Sequence, residues 1–255
     1  QEKKLNFDIK NFKKFKQKIK YYILDSHPPD IEEIDSNDSE NEKSRKYILN
    51  GYRRDHYQRN YLSKGISYAD ENDIILISDI DEIPKLQNIN LQGIKNNILL
   101  FNQKMCYYKF NLYQENYNWV GSRACKKKKL INPQWLRDVK PKKYPLWRLD
   151  NFFSKNKYHN IKFIENGGWH FSNIKTAAEI EHKLKSYLHH REFDLNPMSK
   201  KEIEDIIKNK QAIYDLKVDK KVNKIGNGNK LIEQPLNKLP SYIEKNLYKY
   251  EEWIN

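Results

Sequence analysis

The stretch Asp73-Ile74-Ile75-Leu76-Ile77-Ser78-Asp79-Ile80-Asp81-Glu82-Ile83-Pro84 joins an apolar run of strand length to a cluster of acids. Short runs of Ile and Leu that end abruptly in charge are the pattern of a buried strand in an α/β sheet. Asp79, Asp81 and Glu82 repel one another, so they need a cation or a solvated loop. Ligands of open α/β sheets gather outside the carboxyl ends of the strands. Hard oxygen donors in that place suit Mg²⁺ or Mn²⁺, which keep waters and share their shell with substrate phosphates. The plainer alternative is a solvated acidic turn closed by Pro84.

Working outward, residues 7 to 19 read as a short basic helix and Tyr21-Tyr22-Ile23-Leu24 as a buried strand. Asp25 to Glu42, with Pro28-Pro29, reads as an exposed loop, and a long helical segment follows from about Ser44 to Lys64. Downstream, the alternation of Cys106, Tyr108, Phe110 and Leu112 predicts a half-buried antiparallel strand over Met105 to Tyr113, with Asn118 to Cys125 as its neighbour. A further strand is expected through Ile161 to Ile164. Two helices carry capping boxes, Thr176 with Glu179 and Ser199 with Glu202. In the first, Ile180, Leu184, Tyr187 and Leu188 make the core stripe, which sends His182, Lys185 and His189 to the other side. In the second, Ile203, Ile206, Ile207, Ile213 and Tyr214 repeat the pattern. The tail after Asp219 is polar and becomes weakly helical from Pro240. Helix, buried strand and acidic loop in succession give an α/β class. The chain divides into a domain over 1–216 and a C-terminal helical extension over 217–255.

The 255 residues carry a net charge of +14, and 13% are aromatic. Collagenous, coiled-coil and disulfide-scaffold classes fail on that composition, and 18 Tyr, 10 Phe and 5 Trp supply ample surface to bury. Lys, Asn and Ile are all abundant and the basic residues are scattered, so the charge is not read as a specific nucleic-acid interface. Lys126 to Lys129, the one basic run, reads as a solvated face. Cys106 and Cys125 lack metal-ligand spacing and suit a reducing compartment. No run approaches the roughly 20 apolar residues that span a bilayer. The first residue, Gln1, points to a processed or truncated product, so an upstream anchor or signal would not be visible.

A second cluster is Gly167-Gly168-Trp169-His170-Phe171-Ser172, just before the capped helix. Paired glycines permit close backbone approach or positive φ, Trp169 offers a flat apolar wall, and an imidazole can complete a metal shell. A structural hydrogen bond from His170 is the alternative. Together with Arg53 to Leu62 (RRDHYQRNYL), the loop ISDIDEIP and the stretch HKLKSYLHHREFD, this turn stands in an order that resembles glycosyltransferase family 17. The similarity runs from about residue 5 to residue 216. The resemblance implies a GT-A-like (Rossmann-like) mixed sheet flanked by helices. It further implies a UDP-sugar donor (UDP-N-acetylglucosamine), a glycan acceptor, Mn²⁺ or Mg²⁺, and inversion at the anomeric carbon. The strand and helix that open family members ahead of the segment resembling Leu5 to Leu24 are absent here. Either the chain is a fragment or uridine recognition is built differently, so metal use follows more directly than donor identity.

On that resemblance Asp81 is the metal-binding and catalytic second acid of a D-x-D motif, Asp79 faces the ribose or the metal's waters, and Glu82 is a secondary ligand. His170 is the later metal ligand. Arg59, Lys183 and Lys185 are placed to neutralise diphosphate, with ordinary helix-surface charge as the alternative for each. Glu192 and Asp138 are both candidates for the general base. Trp119, Arg123 and Trp169 are candidates for the acceptor platform, as are Trp135 and Trp147; each Trp has a core position as its alternative. A microbial or viral enzyme of this kind acts in the cytoplasm, and an animal-like one with an anchor before Gln1 acts in the Golgi lumen. Two competing readings remain: a haloacid-dehalogenase-type phosphatase with a nucleophilic Asp, and a non-enzymatic protein that binds RNA or anionic surfaces.

Overall fold

The computed structural model describes residues 7–87, 89–187, 190–215, 225–226 and 228–255. Its elements in chain order are α1 (Glu40–Tyr61), α2 (Ser63–Ile66), β1 (Ile74–Ile77), β2 (Glu82–Pro84), β3 (Ile98–Tyr107) and β4 (Leu112–Lys126). There follow α3 (Pro133–Asp138), α4 (Asp150–Phe153), β5 (Ile161–Ile164), β6 (Gly168–Ser172), α5 (Ala177–Ser186), α6 (His190–Leu195), α7 (Lys200–Lys208), β7 (Leu231–Glu233) and α8 (Ser241–Glu244). Leu188 and His189, residues 216–224, and Leu5 lie outside the described residues.

The fold is α/β, with a mixed, open seven-stranded sheet flanked by helices. Its spine is the antiparallel hairpin β3–β4, and two short strands run in series along each outer edge of the hairpin. On one side β5 and β6 both run parallel to β3, at Ile98–Phe101 and at Lys104–Tyr107. On the other, β1 and β7 run antiparallel to β4, at its carboxyl and amino ends. β2 pairs only with β6 among the described strands, so β1 and β2, although adjacent in sequence, lie on opposite borders of the sheet. The acidic loop between them must therefore cross the sheet.

The β3–β4 ladder shifts register between Leu100 and Asn102. The extra residue lies on β4, and β3 keeps its alternation, with even-numbered positions on one face and odd-numbered ones on the other. Ile98 and Leu100 pack with Trp135 and Leu136 of α3, whereas beyond the shift Met105 and Tyr107 pack with Ile180 and Leu184 of α5 and Ile203 and Ile206 of α7. Cys106 faces the other way, toward Trp169, Phe171, Leu239 and Ile243. Both faces of β3 are thus covered, and the expected half-buried strand over Met105 to Tyr113 is corrected. The strand ends at Tyr107, Tyr108 adopts φ +62° in the turn, and Leu112 already begins β4. Alternation of Tyr and Phe across 106–112 reflected two buried faces and a turn.

Local signals set most helix ends. Thr176 and Ser199 cap α5 and α7 as expected, and Ser39 with Glu42 forms a third capping box that starts α1. α1 is polar almost all round, with only Asn50 buried, and is held by charge pairs such as Arg53–Glu32 and Arg191–Glu40. The strand expected at Tyr21 to Leu24 does not form; Tyr21 and Ile23 are exposed there. The basic helix before it is a 3₁₀ helix, Ile9–Lys18, interrupted at Phe12. After residue 216 the chain does more than extend helically. β7 joins the main sheet, Gln234 accepts a hydrogen bond from Lys104 (2.9 Å), and α8 helps cover Trp169. No described helix is long and apolar enough to cross a membrane.

Gly168 shows why the paired glycines are needed. Its φ is +131°, and a Cβ there would lie 2.1 Å from the Ile83 carbonyl oxygen. Only a residue without a side chain lets β6 lie this close to β2. Gly168→Ala is expected to cost about 2–4 kcal/mol of stability, read as a fall in the urea midpoint at constant slope; an unchanged midpoint would contradict this packing.

Candidate functional site

The crossing loop is fixed to the sheet where the β3–β4 register shifts. There Ser122 N–H donates to the side chain of Gln103 (3.2 Å) instead of a ladder carbonyl, and Gln103 Nε2 donates to Ser122 Oγ (3.1 Å). Ser122 Oγ lies 2.6 Å from Ser78 Oγ, and Ser78 Oγ donates to the Glu82 carbonyl (3.0 Å). Gly121 beside them leaves space for a carboxylate: a Cβ would come within 2.8 Å of Glu82 Cδ.

Glu82 fills that space and is 5% exposed. Its two oxygens accept from Trp119 Nε1 (2.7 Å), Arg137 Nη2 (2.9 Å), Arg137 Nη1 (3.0 Å) and the Asp79 amide (3.0 Å). A buried carboxylate with four donors is a paired and satisfied anion. The secondary ligand expected at Glu82 is thereby corrected, because protein donors already occupy both of its oxygens. Arg137 Nη2 also donates to Asp79 Oδ2 (2.9 Å), and Arg59 Nη2 donates to Asp79 Oδ1 (3.3 Å). Arg59 is bound in turn to Asp55 (2.9 Å) and Gln134. Asp79 is thus clamped between two guanidinium groups, and Arg59 is committed to Asp55, Asp79 and Gln134.

Asp81 turns to the opposite partner. Its Oδ2 lies 3.3 Å from His170 Nε2, its side chain is about one-third exposed (34%), and its carbonyl accepts from the Phe171 amide (2.8 Å). Burial alone would raise the Asp81 carboxyl, but the hydrogen bond to His170 and the charges of His170 and Lys183 outweigh it and hold the group below its ordinary value. His170 is placed by its neighbours: the Trp119 ring lies 4.8 Å from its ring, and Met105 Sδ is 2.9 Å from Nδ1. Lys183 donates to Asn173 Oδ1 (2.8 Å); burial pushes its ammonium down while Asp81 pulls it back up. Ile80, between the two acids, stands wholly in solvent.

The structure therefore brings Asp79, Asp81, Glu82, His170, Arg59, Lys183 and Trp119 together and separates the rest. Lys185 is exposed and paired with Glu181 (2.6 Å), so it is corrected to a surface charge. Arg123 is buried and donates to the carbonyls of Leu136, Arg137 and Val139, which makes it the cap of α3 and not an acceptor residue. Trp169 is 7% exposed, donates to the Lys238 carbonyl (3.0 Å) and belongs to the core. Trp135 is likewise buried and Trp147 is exposed. Asp138 is exposed and accepts from Gln134 Nε2 (2.8 Å), which ties it to the Arg59–Asp79 chain. Glu192 sits half-buried on α6, in the field of Tyr187. Cys106 and Cys125 are free and buried, and burial pushes both thiols up to about 12, which removes them as nucleophiles.

Arg137 is the residue that sequence reasoning missed. A signal was present: Asn132 caps a short helix with Pro133 in its first turn, which sets Gln134, Arg137 and Asp138 at i, i+3 and i+4 on one face. Among the described residues no group of three or more His, Cys, Asp and Glu is arranged to hold a metal ion. The protein donors that converge are one carboxylate and one imidazole, Asp81 and His170. A surface depression of about 610 Å³, lined by Asp73, Ile74, Ile89 and Leu91 among others, contains none of these residues. No family model, no curated relative and no solved structure matches this chain.

The two halves of the loop differ in what their disruption should do. Arg137→Met leaves the buried Glu82 carboxylate without a counter-charge and is expected to cost about 3–5 kcal/mol in urea unfolding. Asp81→Asn, partly exposed, should change stability by no more than about 1 kcal/mol. Equal effects would show that the loop is not divided into an anchored and an open half.

Proposed function

We propose that the protein is a metal-dependent, inverting glycosyltransferase of GT-A-like fold that moves a sugar, N-acetylglucosamine in the first instance, from a UDP-sugar to a glycan acceptor. The observation that carries this reading is the Asp81–His170 pair, 3.3 Å apart at the rim of a mixed α/β sheet, with the Lys183 ammonium in the same field. A set of one carboxylate and one imidazole fits an ion that takes its other ligands from water and phosphate, as Mg²⁺ and Mn²⁺ do. Asp81 and His170 would hold such a cation, which would supply Lewis acidity at the diphosphate.

The remaining work falls to the chain's own groups. The Lys183 charge favours the ionised form of Asp81, and Asp81 in turn keeps a cation at Lys183 available to phosphate oxygens. Arg137 and Arg59 hold Asp79, and through it the loop, so that Asp81 does not have to be reoriented when the donor arrives. Trp119 fixes the Glu82 carboxylate with its indole N–H and the His170 ring with its face. The acceptor hydroxyl needs a base within about 3 Å. Asp138 is favoured over Glu192 because it is exposed and hydrogen-bonded into the chain that ends on Asp79.

A panel of UDP-sugars incubated with and without Mn²⁺, read as uridine diphosphate release, tests the reading. Metal-dependent release is expected, and Asp81→Asn should lower it at least about 100-fold, on the scale of losing a principal electrostatic group. Full turnover by Asp81→Asn would overturn the assignment, as would phosphate release from simple phosphate esters without any UDP-sugar turnover. Lys183→Met should weaken uridine diphosphate binding in the presence of Mn²⁺ by about tenfold or more, the worth of one charge-assisted hydrogen bond, measured by calorimetry.

A further inference from the structure

Between α3 and β5 the chain makes an excursion whose base is stitched closed. Lys140 N–H donates to the Asn156 carbonyl (2.7 Å), Tyr144 N–H donates to the Tyr158 carbonyl (3.3 Å), and Lys143 forms a parallel bridge with Tyr158. The tip is ordered by charge. Asp150 accepts from Arg148 Nε (2.9 Å) and Nη2 (2.8 Å) and from Lys157 Nζ (2.7 Å).

What this braced tip presents is apolar. Leu146, Trp147, Leu149 and Phe153 are 65%, 79%, 73% and 89% exposed, the densest group of large exposed apolar side chains in the described chain. Water-facing Leu and Phe in this concentration mark an interaction surface. At the base of the same excursion Lys140, Lys142 and Lys143 are exposed, and residues 140 to 157 hold six basic side chains against the single acid Asp150, which its own neighbours neutralise. A sugar platform would pair aromatic faces with free hydrogen-bonding groups; here two of the four side chains are aliphatic, and the charged groups within the tip, Arg148 and Asp150, are bound to each other.

We propose that the 145–153 tip is a membrane-docking element that inserts Leu146, Trp147, Leu149 and Phe153 into the interface of an anionic lipid bilayer while Lys140, Lys142 and Lys143 lie against its headgroups. Shallow insertion of an apolar tip and attraction of a basic collar are the two components of peripheral membrane binding, and neither alone holds a protein firmly. Trp favours the headgroup level, where its ring is half in hydrocarbon. The net charge of +14 adds a long-range attraction to the same surface. The docking does not depend on what chemistry the Asp81 site performs.

The full chain, sedimented with vesicles of phosphatidylcholine alone and with about 30% phosphatidylserine, reads the proposal directly. Binding is expected to the anionic vesicles and at least about tenfold weaker to the neutral ones. The double variant Leu146→Ser with Trp147→Ser keeps every charge and should bind anionic vesicles about tenfold or more weakly than wild type. Lys142→Glu with Lys143→Glu should weaken binding while leaving the tip intact. Bromine-labelled acyl chains should quench wild-type fluorescence, with that quenching lost in Trp147→Phe. Equal vesicle binding by wild type and the double Ser variant would reduce the attraction to general charge and overturn the proposal. So would absence of vesicle binding, including the case in which the tip instead holds two copies together and the double Ser variant releases a monomer on gel filtration. The substituted side chains are exposed, and an unchanged thermal melt verifies that the variants fold.

Discussion

A single guanidinium joins the two halves of the acidic loop. Arg137 enters from α3 and binds the buried carboxylate of Glu82 with both terminal nitrogens while one of them also reaches Asp79. An isolated carboxylate in that position would cost several kcal/mol through lost hydration, and two carboxylates this close would repel as well. The arginine converts both penalties into a fixed geometry, which Trp119 and the Asp79 amide complete. Everything that faces outward from the loop, above all Asp81, inherits its direction from that inner lock. Three acids in four residues therefore have three fates: Glu82 becomes part of the core, Asp79 a clamp point, and Asp81 the partly exposed group that faces His170.

The β3–β4 irregularity is the second half of the same design. A regular ladder at Ser122 would leave neither a free amide for Gln103 nor space above Gly121 for Glu82. β3 keeps its alternation through the break, so that Ile98 and Leu100 meet α3 on one face and Met105 and Tyr107 meet α5 and α7 on the other.

The features legible in the sequence are those whose cause is local. β1 ends where charge begins, β5 lies where a short apolar run predicts it, and the capping boxes of α5 and α7 are set by side chains three residues apart. The convergence of the D-x-D loop with the GGWHFS turn was legible as a pairing of motifs, and Asp81 does meet His170. Roles decided by long-range partners were not. Arg123 and Trp169 have the residue types of a sugar platform, but their environments, α3 carbonyls for one and the Leu239–Ile243 segment for the other, are set far away in sequence. Tyr21 to Leu24 has the apolar content of a strand but pairs with no described strand of the sheet. β7 is only three residues long, too short to announce itself, and exists because β4 offers an unpaired border.

Because β2 has β6 as its only ladder partner among the described strands, the loop is complete only when residues 82–84 meet residues 168–170. The intervening chain must first lay down the β3–β4 hairpin on which both rest. Loop closure over such a span is slow compared with forming a local turn. The order of assembly that follows is hairpin first, acidic rim last. Before that final step the three acids remain separately hydrated in an open chain, and their mutual repulsion is met only once Arg137 is in place to quench it.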